Sequence, residues 1–218
     1  VYQNYQAVSS GGEIIILKDG QEAARVWPYG ASYTGKISAA LADFGADEVP
    51  ELVVLNQDGD VPQIKILRLN GSLIKYYYPY GKVGTVRGGS IAVADMDGAG
   101  SAEIVLGAAR GARPEVRIYD ANFNLRRSFV VYDAGFRGGV NVAVGDFAGN
   151  GKKDIITGAA SFGGPYVRVW NAFGREIWPG FFAFSSKLRF GVAVAAADLD
   201  GDGKDEIIAM SNSVFTTK

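Results

Sequence analysis

The 218-residue sequence contains no cysteine and no histidine. Without cysteine the chain has no disulfide, no thiolate metal site and no thiol nucleophile. Without histidine it lacks the commonest general base and the commonest transition-metal ligand, which excludes Ser-His-Asp catalysis and zinc or haem centres of the usual kinds. The chemistry that remains is that of carboxylates and of hard cations bound through oxygen atoms.

The sequence also lacks an excess of either charge and a long apolar run. It has 22 basic and 23 acidic residues, a formal net charge of −1, so we expect no nucleic acid partner. No segment approaches the ~20 apolar residues of a membrane-spanning helix, which argues against membrane insertion. A hydrophobic fraction of 48% suffices for a large core, and 30 glycines, about twice the usual share, indicate many tight turns.

A sequence repeat of about 50 residues runs through almost the whole chain. Each unit has a small, apolar strand that ends in aspartate, a Gly/Asp-rich loop, and a second apolar strand that begins with an acidic residue. The loops span residues 43–51, 95–103, 146–154 and 198–206, and their leading aspartates lie 52, 51 and 52 residues apart. The period predicts four equivalent structural units within one domain, residues 1–218.

Each repeat also contains a hairpin, so a unit has four strands and no helix. The predicted hairpins are Ile14–Trp27, Ile64–Tyr78, Val116–Tyr132 and Val167–Phe184. A β-sandwich gives no reason for such a period, and the coils of a β-solenoid are much shorter. The sequence therefore predicts an all-β fold, a β-propeller with four blades of four antiparallel strands.

The two ends of the sequence predict how the ring closes. Strands Val192–Ala197 and Glu206–Met210 lack a hairpin, and the hairpin Ile14–Trp27 lacks a first strand, so together they complete one blade. Closure requires that Ile207–Met210 pairs with Ile14–Leu17. Because Tyr5–Ser10 also has the pattern of a second strand, either this extra strand packs outside the ring or the chain is an open piece of a larger ring.

The segment Arg189–Ile208, with Phe190-Gly191 before its strand and Gly-Ala-Ala after the second strands of two other units, resembles the FG-GAP (VCBS-type, integrin-α-like) repeat. The resemblance covers all four units and is weakest in the first, where Gly35-Lys36 replaces Phe-Gly. It implies a β-propeller, commonly seven-bladed and extracellular, with calcium in the loops between the first and second strands. It further implies adhesion, or recognition of a protein or glycan.

The aspartate loops have the ligand pattern of a calcium site. Calcium takes six to eight oxygens, which a short loop supplies from alternating positions and a closing carboxylate. The last loop fills every position with Asp198, Asp200, Asp202, the carbonyl of Lys204, and Glu206. Each of the other loops lacks one ligand, and their candidate ligands are Asp43, Asp47 and Glu51; Asp95, Asp97 and Glu103; and Asp146, Asn150 and Asp154.

The alternative for any of these loops is a turn that its own aspartate stabilises without metal. The complete last loop favours calcium, and the three incomplete loops favour the turn.

A ligand face is predicted at the opposite end of the strands. Arg87, Arg137 and Arg189 precede the first strand in three units, and Arg110, Arg113 and Tyr80 lie in neighbouring connections. Guanidinium groups suit carboxylate, sulfate or phosphate, and aromatic rings suit sugar faces. In the alternative, the arginines bond carbonyls of the adjacent blade and the aromatic side chains pack between blades.

These features favour a non-enzymatic recognition or adhesion module, extracellular or at a cell surface, that binds a glycan or protein. The alternatives are an architectural unit that packs on copies of itself in a filament or surface layer, and a fragment of a larger propeller. A carboxylate hydrolase is disfavoured, because every clustered carboxylate already has a turn or metal role.

Overall fold

The computed structural model describes residues 4–45, 47–58 and 61–212, which form 17 β-strands. In chain order the strands are β1 (Tyr5–Ser10), β2 (Glu13–Lys18), β3 (Gln21–Val26), β4 (Ile37–Ala42), β5 (Glu51–Asn56), β6 (Ile64–Leu67), β7 (Leu73–Tyr77), β8 (Ser90–Ala94), β9 (Glu103–Gly107), β10 (Glu115–Tyr119), β11 (Leu125–Val130), β12 (Val140–Gly145), β13 (Asp154–Ala159), β14 (Tyr166–Trp170), β15 (Glu176–Phe182), β16 (Val192–Ala197) and β17 (Glu206–Ser211). The described residues contain no helix with the length and hydrophobicity of a membrane span.

The strands form five antiparallel sheets in which neighbours along the chain are hydrogen-bonded. Three sheets have four strands, β4–β7, β8–β11 and β12–β15, and these are the blades that the repeat predicts. The chain begins with a three-stranded sheet, β1–β3, and ends with a two-stranded sheet, β16–β17. The first strands β4, β8, β12 and β16 contact one another in succession, so the sheets follow each other as in a propeller.

The predicted closure of the ring is wrong for the part of the chain that the structure describes. Strand β17 is paired only with β16, and the N-terminal hairpin strand β2 is already paired on both edges, with β1 and β3. The extra strand Tyr5–Ser10 therefore occupies the edge that Ile207–Met210 was expected to take. Instead of four closed blades of four strands, the sheets contain three, four, four, four and two strands.

The hydrophobic core lies between the sheets. In each four-stranded sheet the second strand, β5, β9 or β13, is almost entirely buried. In β5 the residues Leu52, Val53 and Val54 are fully buried, as are the residues at the same places in β9 and the two isoleucines of β13. Both faces of these strands are covered because a neighbouring sheet lies on each side. The apolar character of the whole strand, rather than of alternate residues, follows from this double burial.

Neighbouring sheets approach so closely that some positions require glycine. A Cβ on Gly158 would lie 2.6 Å from the backbone oxygen of Val192 in the next sheet, and one on Gly107 would collide with the oxygen of Val140. In β5 the corresponding residue is Leu55, which is large, and the residue that it meets is a glycine, Gly89. A Cβ on Gly89 would lie 2.9 Å from the Leu55 side chain.

We expect Gly158→Ala to lower the free energy of unfolding by about 1–3 kcal/mol, because the new methyl group meets backbone that cannot move aside. Gly45→Ala is the control, since its nearest neighbour would be 3.6 Å away. That change is expected to be neutral, or stabilising by up to about 1 kcal/mol through the unfolded state. Urea denaturation measures both. Equal stabilities of the two variants would contradict the close approach of the sheets.

Candidate functional site

All four aspartate loops fold as hydrogen-bonded turns around their leading aspartate. Asp198 accepts the backbone N–H groups of Gly201 at 2.7 Å and Gly203 at 3.0 Å. Asp95, Asp146 and Asp43 each accept two N–H groups of their own loops in the same way. The self-stabilised turn is therefore present in every loop. It leaves carboxylate oxygens close to the loop centre.

In three loops the closing glutamate reaches back to the residue after the leading aspartate. Glu103 accepts the N–H of Met96 at 2.9 Å, and Glu206 accepts that of Leu199 at 2.8 Å. Glu51 does the same in the first loop. These hydrogen bonds hold the glutamate over the turn and bring its carboxylate towards the aspartates.

Two loops bring three carboxylates together. In each group one oxygen from every member lies within 4.8 Å of the others, and the groups are Asp95, Asp97 and Glu103, and Asp198, Asp200 and Glu206. Asp202 does not belong to this group; it accepts the N–H of Lys204 at 2.8 Å and lies 3.5 Å from the Nζ atom of Lys204. The geometry thus makes the Asp95 loop a second candidate metal site, whereas the sequence favoured only the Asp198 loop.

The electrostatics of the Asp95 loop fit a cation. Burial raises the pKa of the Glu103 carboxyl, the charges of Asp97 and Asp95 raise it further, and the hydrogen bond from Met96 opposes them. Three carboxylate oxygens in one loop match the donors that calcium prefers. A bound cation would neutralise the repulsion that Glu103 experiences.

The three predicted ligand arginines share one structural role. The NH1 atom of Arg87 donates to the carbonyls of Gly84 and Val86, both at 2.9 Å. Arg137 and Arg189 bond the carbonyls three residues and one residue before them in the same manner. Each guanidinium therefore bonds carbonyls of its own loop, and among the described residues none bonds a carbonyl of the adjacent blade. Their Nε and NH2 atoms have no hydrogen-bond partner among the described residues, and the side chains are exposed.

Two of the predicted ligand residues come together at one cavity. Arg87 and Arg110 exchange backbone hydrogen bonds of 3.0 and 2.8 Å. Both line a cavity of about 210 Å³ that also contains Gln57, Asn141 and Ser161. The Arg110 guanidinium lies 4.5 Å from the ring centroid of Phe162.

The remaining predicted ligand residues lie elsewhere. Arg137, Arg189 and Arg113 are exposed but do not line this cavity. Tyr80 packs between sheets, where its hydroxyl accepts the N–H of Ala109 at 3.1 Å and burial raises its pKa to about 12. Tyr80 thus follows the alternative, in which the aromatic residues at the ends of the fourth strands belong to the inter-blade core.

A second and larger cleft, of about 460 Å³, extends the predicted ligand face. It lies beside Arg87, and its other side chains include those of Tyr29, Tyr78, Lys65 and Lys82. The Nζ atom of Lys82 lies 5.7 Å from the Tyr78 ring, and burial lowers the pKa of Lys65. The run of tyrosines before residue 80 hinted at this surface. These tyrosines come to lie beside Lys65 and Tyr29 only through the packing of two sheets against each other.

Comparisons with known proteins place the chain among propeller-like folds. The model of the FG-GAP repeat family matches residues 190–216, of which 213–216 lie outside the described residues. Three solved structures that resemble the chain are the exotype rhamnogalacturonan lyase YesX (16% identity, TM-score 0.57), the Bacillus licheniformis rhamnogalacturonan lyase PL11 (15%, 0.56) and BBS1N in complex with ARL6DN (16%, 0.56).

The match to these structures is long in this chain but partial in theirs. It covers 92%, 92% and 96% of this chain, and 47%, 48% and 58% of the respective proteins. The chain thus spans about half the length of the solved structures it resembles. The likeness therefore concerns the β-propeller fold and the arrangement of sheets.

The raised pKa of Glu103 leads to a prediction with a defined sign. The folded protein binds a proton at this carboxyl more readily than the unfolded chain does, so stability from this group is present at low pH. That stability is lost as the pH rises from the ordinary value of 4.5 through the raised pKa. In EDTA we expect Glu103→Gln and the wild type to have the same melting temperature at about pH 4. At pH 7 we expect the variant to have the higher melting temperature.

Thermal melts over this pH range measure the difference, and melts in excess calcium are the control, where the wild type is expected to be the more stable protein. A variant that melts below the wild type at pH 7 in EDTA would contradict the prediction. It would show that the fold itself needs the carboxylate.

Proposed function

We propose that this chain, which carries an FG-GAP repeat at residues 190–216, is a non-enzymatic recognition module. It binds an acidic glycan or an acidic protein segment at the end of the strands that bears Arg87, and calcium stabilises the loops at the other end. The observation that carries the proposal is the position of Arg87. Arg87 lines both the cavity of about 210 Å³ and the cleft of about 460 Å³.

The Arg87 guanidinium suits an anion because only part of it is used by the fold. NH1 holds the two loop carbonyls, which fixes the direction of the planar group. The Nε and NH2 atoms remain for a ligand, and a carboxylate or sulfate can accept two parallel hydrogen bonds from such a fork. Because the side chain is already held, binding costs little conformational entropy.

The cleft beside Arg87 adds the other elements of a carbohydrate or peptide site. Tyr78 offers an aromatic ring against which an apolar sugar face can pack, and Lys82 supplies a second cation close to that ring. Clefts of several hundred cubic ångströms that combine aromatic surface with a few polar groups are typical ligand sites.

Calcium acts from the far end of the same strand in this proposal. Strand β8 begins three residues after Arg87 and ends immediately before Asp95, so about 16 Å separate the two ends. A cation held by the Asp95 loop would fix the β8–β9 connection, and thereby the strand that carries the arginine loop. We also propose that the module is extracellular, in accordance with the FG-GAP resemblance.

The calcium part of the proposal predicts two binding equivalents. Asp97→Ala and Asp200→Ala are each expected to remove one equivalent in isothermal titration and to lower the melting temperature only when calcium is present. Asn150→Ala is the control, since its loop lacks a carboxylate triad among the described residues. It should leave the stoichiometry unchanged and weaken the fold equally with and without calcium. An identical calcium response in all four proteins would refute the proposed sites.

The ligand part is tested with a matched pair of arginines. Arg87→Ala and Arg137→Ala remove the same loop hydrogen bonds, so both should lower stability by a similar amount. Only Arg87 lines the cavities. Affinity for uronate-containing and sulfated oligosaccharides should therefore fall by about 1–3 kcal/mol in Arg87→Ala alone and weaken with salt.

Fluorescence or calorimetric titration against acidic and neutral oligosaccharides measures this affinity, and an acidic peptide series covers the protein ligand. Equal losses in both variants, or binding that neither variant changes, would remove Arg87 from the ligand site.

A further inference from the structure

At three successive interfaces, neighbouring sheets are joined by a cation on the third strand of the later sheet. Equivalent residues of the hairpins' first strands, Lys65 in β6, Arg117 in β10 and Arg168 in β14, each donate to a backbone carbonyl of the preceding sheet. The distances are 2.8 Å from Lys65 to Pro28, 2.7 Å from Arg117 to Pro79 and 2.6 Å from Arg168 to Val131. The same contact thus recurs at three successive interfaces.

A tyrosine follows each of these carbonyls and binds in the opposite direction. The hydroxyl of Tyr29 donates to the carbonyl of Gln63 at 2.6 Å, and that of Tyr132 donates to the carbonyl of Tyr166 at 3.0 Å. Tyr80 accepts the N–H of Ala109 in the next sheet. The cation and the tyrosine together form a two-way fastening, which we call the clasp.

An aromatic contact completes the clasp at two of the interfaces. Tyr77 lies 5.6 Å from Tyr119, and Phe129 lies 5.7 Å from Trp170, measured between ring centroids. In both pairs the first ring is three residues before the clasp tyrosine, and the second is two residues after the cation. The outer halves of adjacent sheets are packed together by these rings.

The preceding half of a further clasp is present in β15 and just after it, and among the described residues its other half is missing. Phe184 stands at the tyrosine position and Phe181 at that of the packing ring, and they are 37% and 39% exposed. The next sheet supplies only β16 and β17, and β17 forms ladder hydrogen bonds to β16 alone among the described residues.

Residues of β17 are also more exposed to solvent than the equivalent residues of the complete sheets. In complete sheets the residue paired with the clasp cation is Val54, Leu106 or Thr157, and all three are fully buried. The register gives Ala209 that place in β17, where it is only half-buried, and Met210 beside it is 54% exposed. We call Phe181, Phe184, Ala209 and Met210 the open edge.

We propose that the open edge binds a β-hairpin of a further repeat of this type, supplied by a polypeptide segment other than residues 1–212. Its first strand would pair with β17 and carry arginine or lysine opposite Ala209, where the cation can donate to the carbonyl of Ala183. Two residues later it would carry a large ring that packs on Phe181. Continuity with the three existing clasps fixes this chemistry.

The N-terminal hairpin of a second copy does not meet these requirements. Ile15 stands at the place of Lys65 in the aligned hairpin, so it offers no cation for the carbonyl of Ala183. The edge of β2 that would face β17 is also occupied by β1. The occupant is therefore a hairpin of the kind formed by β10–β11 and not the one formed by β2–β3.

The test supplies such a hairpin within the full chain. Residues 108–114 connect β9 to β10, and residues 212–218 have the same length, so the segment Glu115–Tyr132 can be appended directly after Lys218. We expect the extended protein to stay monomeric, melt at a higher temperature and bind less of a hydrophobic dye. Hydrogen exchange of the amides of Ile207–Met210 is expected to slow at least about tenfold, the effect of one charge-assisted hydrogen bond.

The matched control has Arg117→Ala in the appended copy of Glu115–Tyr132, while Arg117 of β10 is unchanged. It should lose most of the gain in exchange protection while the original β10 clasp stays intact. A second control appends Glu13–Tyr29 in place of the β10–β11 hairpin and should protect the edge less. The proposal is overturned if the appended hairpin leaves the exchange of β17 unchanged, or if the arginine makes no difference. Sedimentation of the unmodified chain as a dimer with β17 already protected would overturn it as well, in favour of a second copy.

Discussion

The constraint on which this structure depends is that its sheets are apolar on both faces. Leu52 and Val53 are adjacent in β5, point to opposite faces and are both fully buried. Such a sheet is not stable with one face in water, because burial of the second face contributes about 25 cal/mol per Å² of apolar area. Every sheet therefore needs a neighbour on each side, and the succession of sheets follows from that need.

The close approach of the sheets explains which residues the repeats share. Alanine and valine predominate on the first strands β4, β8, β12 and β16, because backbone of one sheet meets backbone of the next there, as between Gly158 of β13 and Val192 of β16. The aspartate loops must turn the chain sharply between two such strands, and their leading aspartate holds the turn by accepting loop N–H groups. A cation at the Asp95 or Asp198 loop would add to a turn that already forms, so the metal would adjust the stiffness of the loop and not create its fold.

The repeat period was sufficient to predict the strands, the hairpins and the three complete blades, because hydrophobic pattern and turn residues act locally. Ring closure was not predictable, since it depended on a competition between Tyr5–Ser10 and Ile207–Met210 for one edge of β2. The contact of the Asp202 carboxylate with Lys204 was not predictable either, and the role of Asp202 as a calcium ligand stays a prediction. The sequence placed aromatic residues near Arg87, but it did not predict that Tyr29, Tyr78 and Lys65 line one cleft there, because the walls come from two sheets that no local pattern brings together.

Differences between the repeats, rather than their shared residues, identify where a ligand is expected. Arg117 and Arg168 pair with Glu115 and Glu176 of their own sheets, which neutralises them within the clasp. Lys65 forms the same clasp without an ion pair to any described residue, and it lines the cleft. The loop hydrogen bonds of Arg87 recur in equivalent form at Arg137 and Arg189. Of these three arginines, Arg87 alone lines the cavity and the cleft. Because the common interactions serve the fold, the positive charge of Lys65 and Arg87, where the β4–β7 sheet is followed by the β8–β11 sheet, is what the proposed recognition would use.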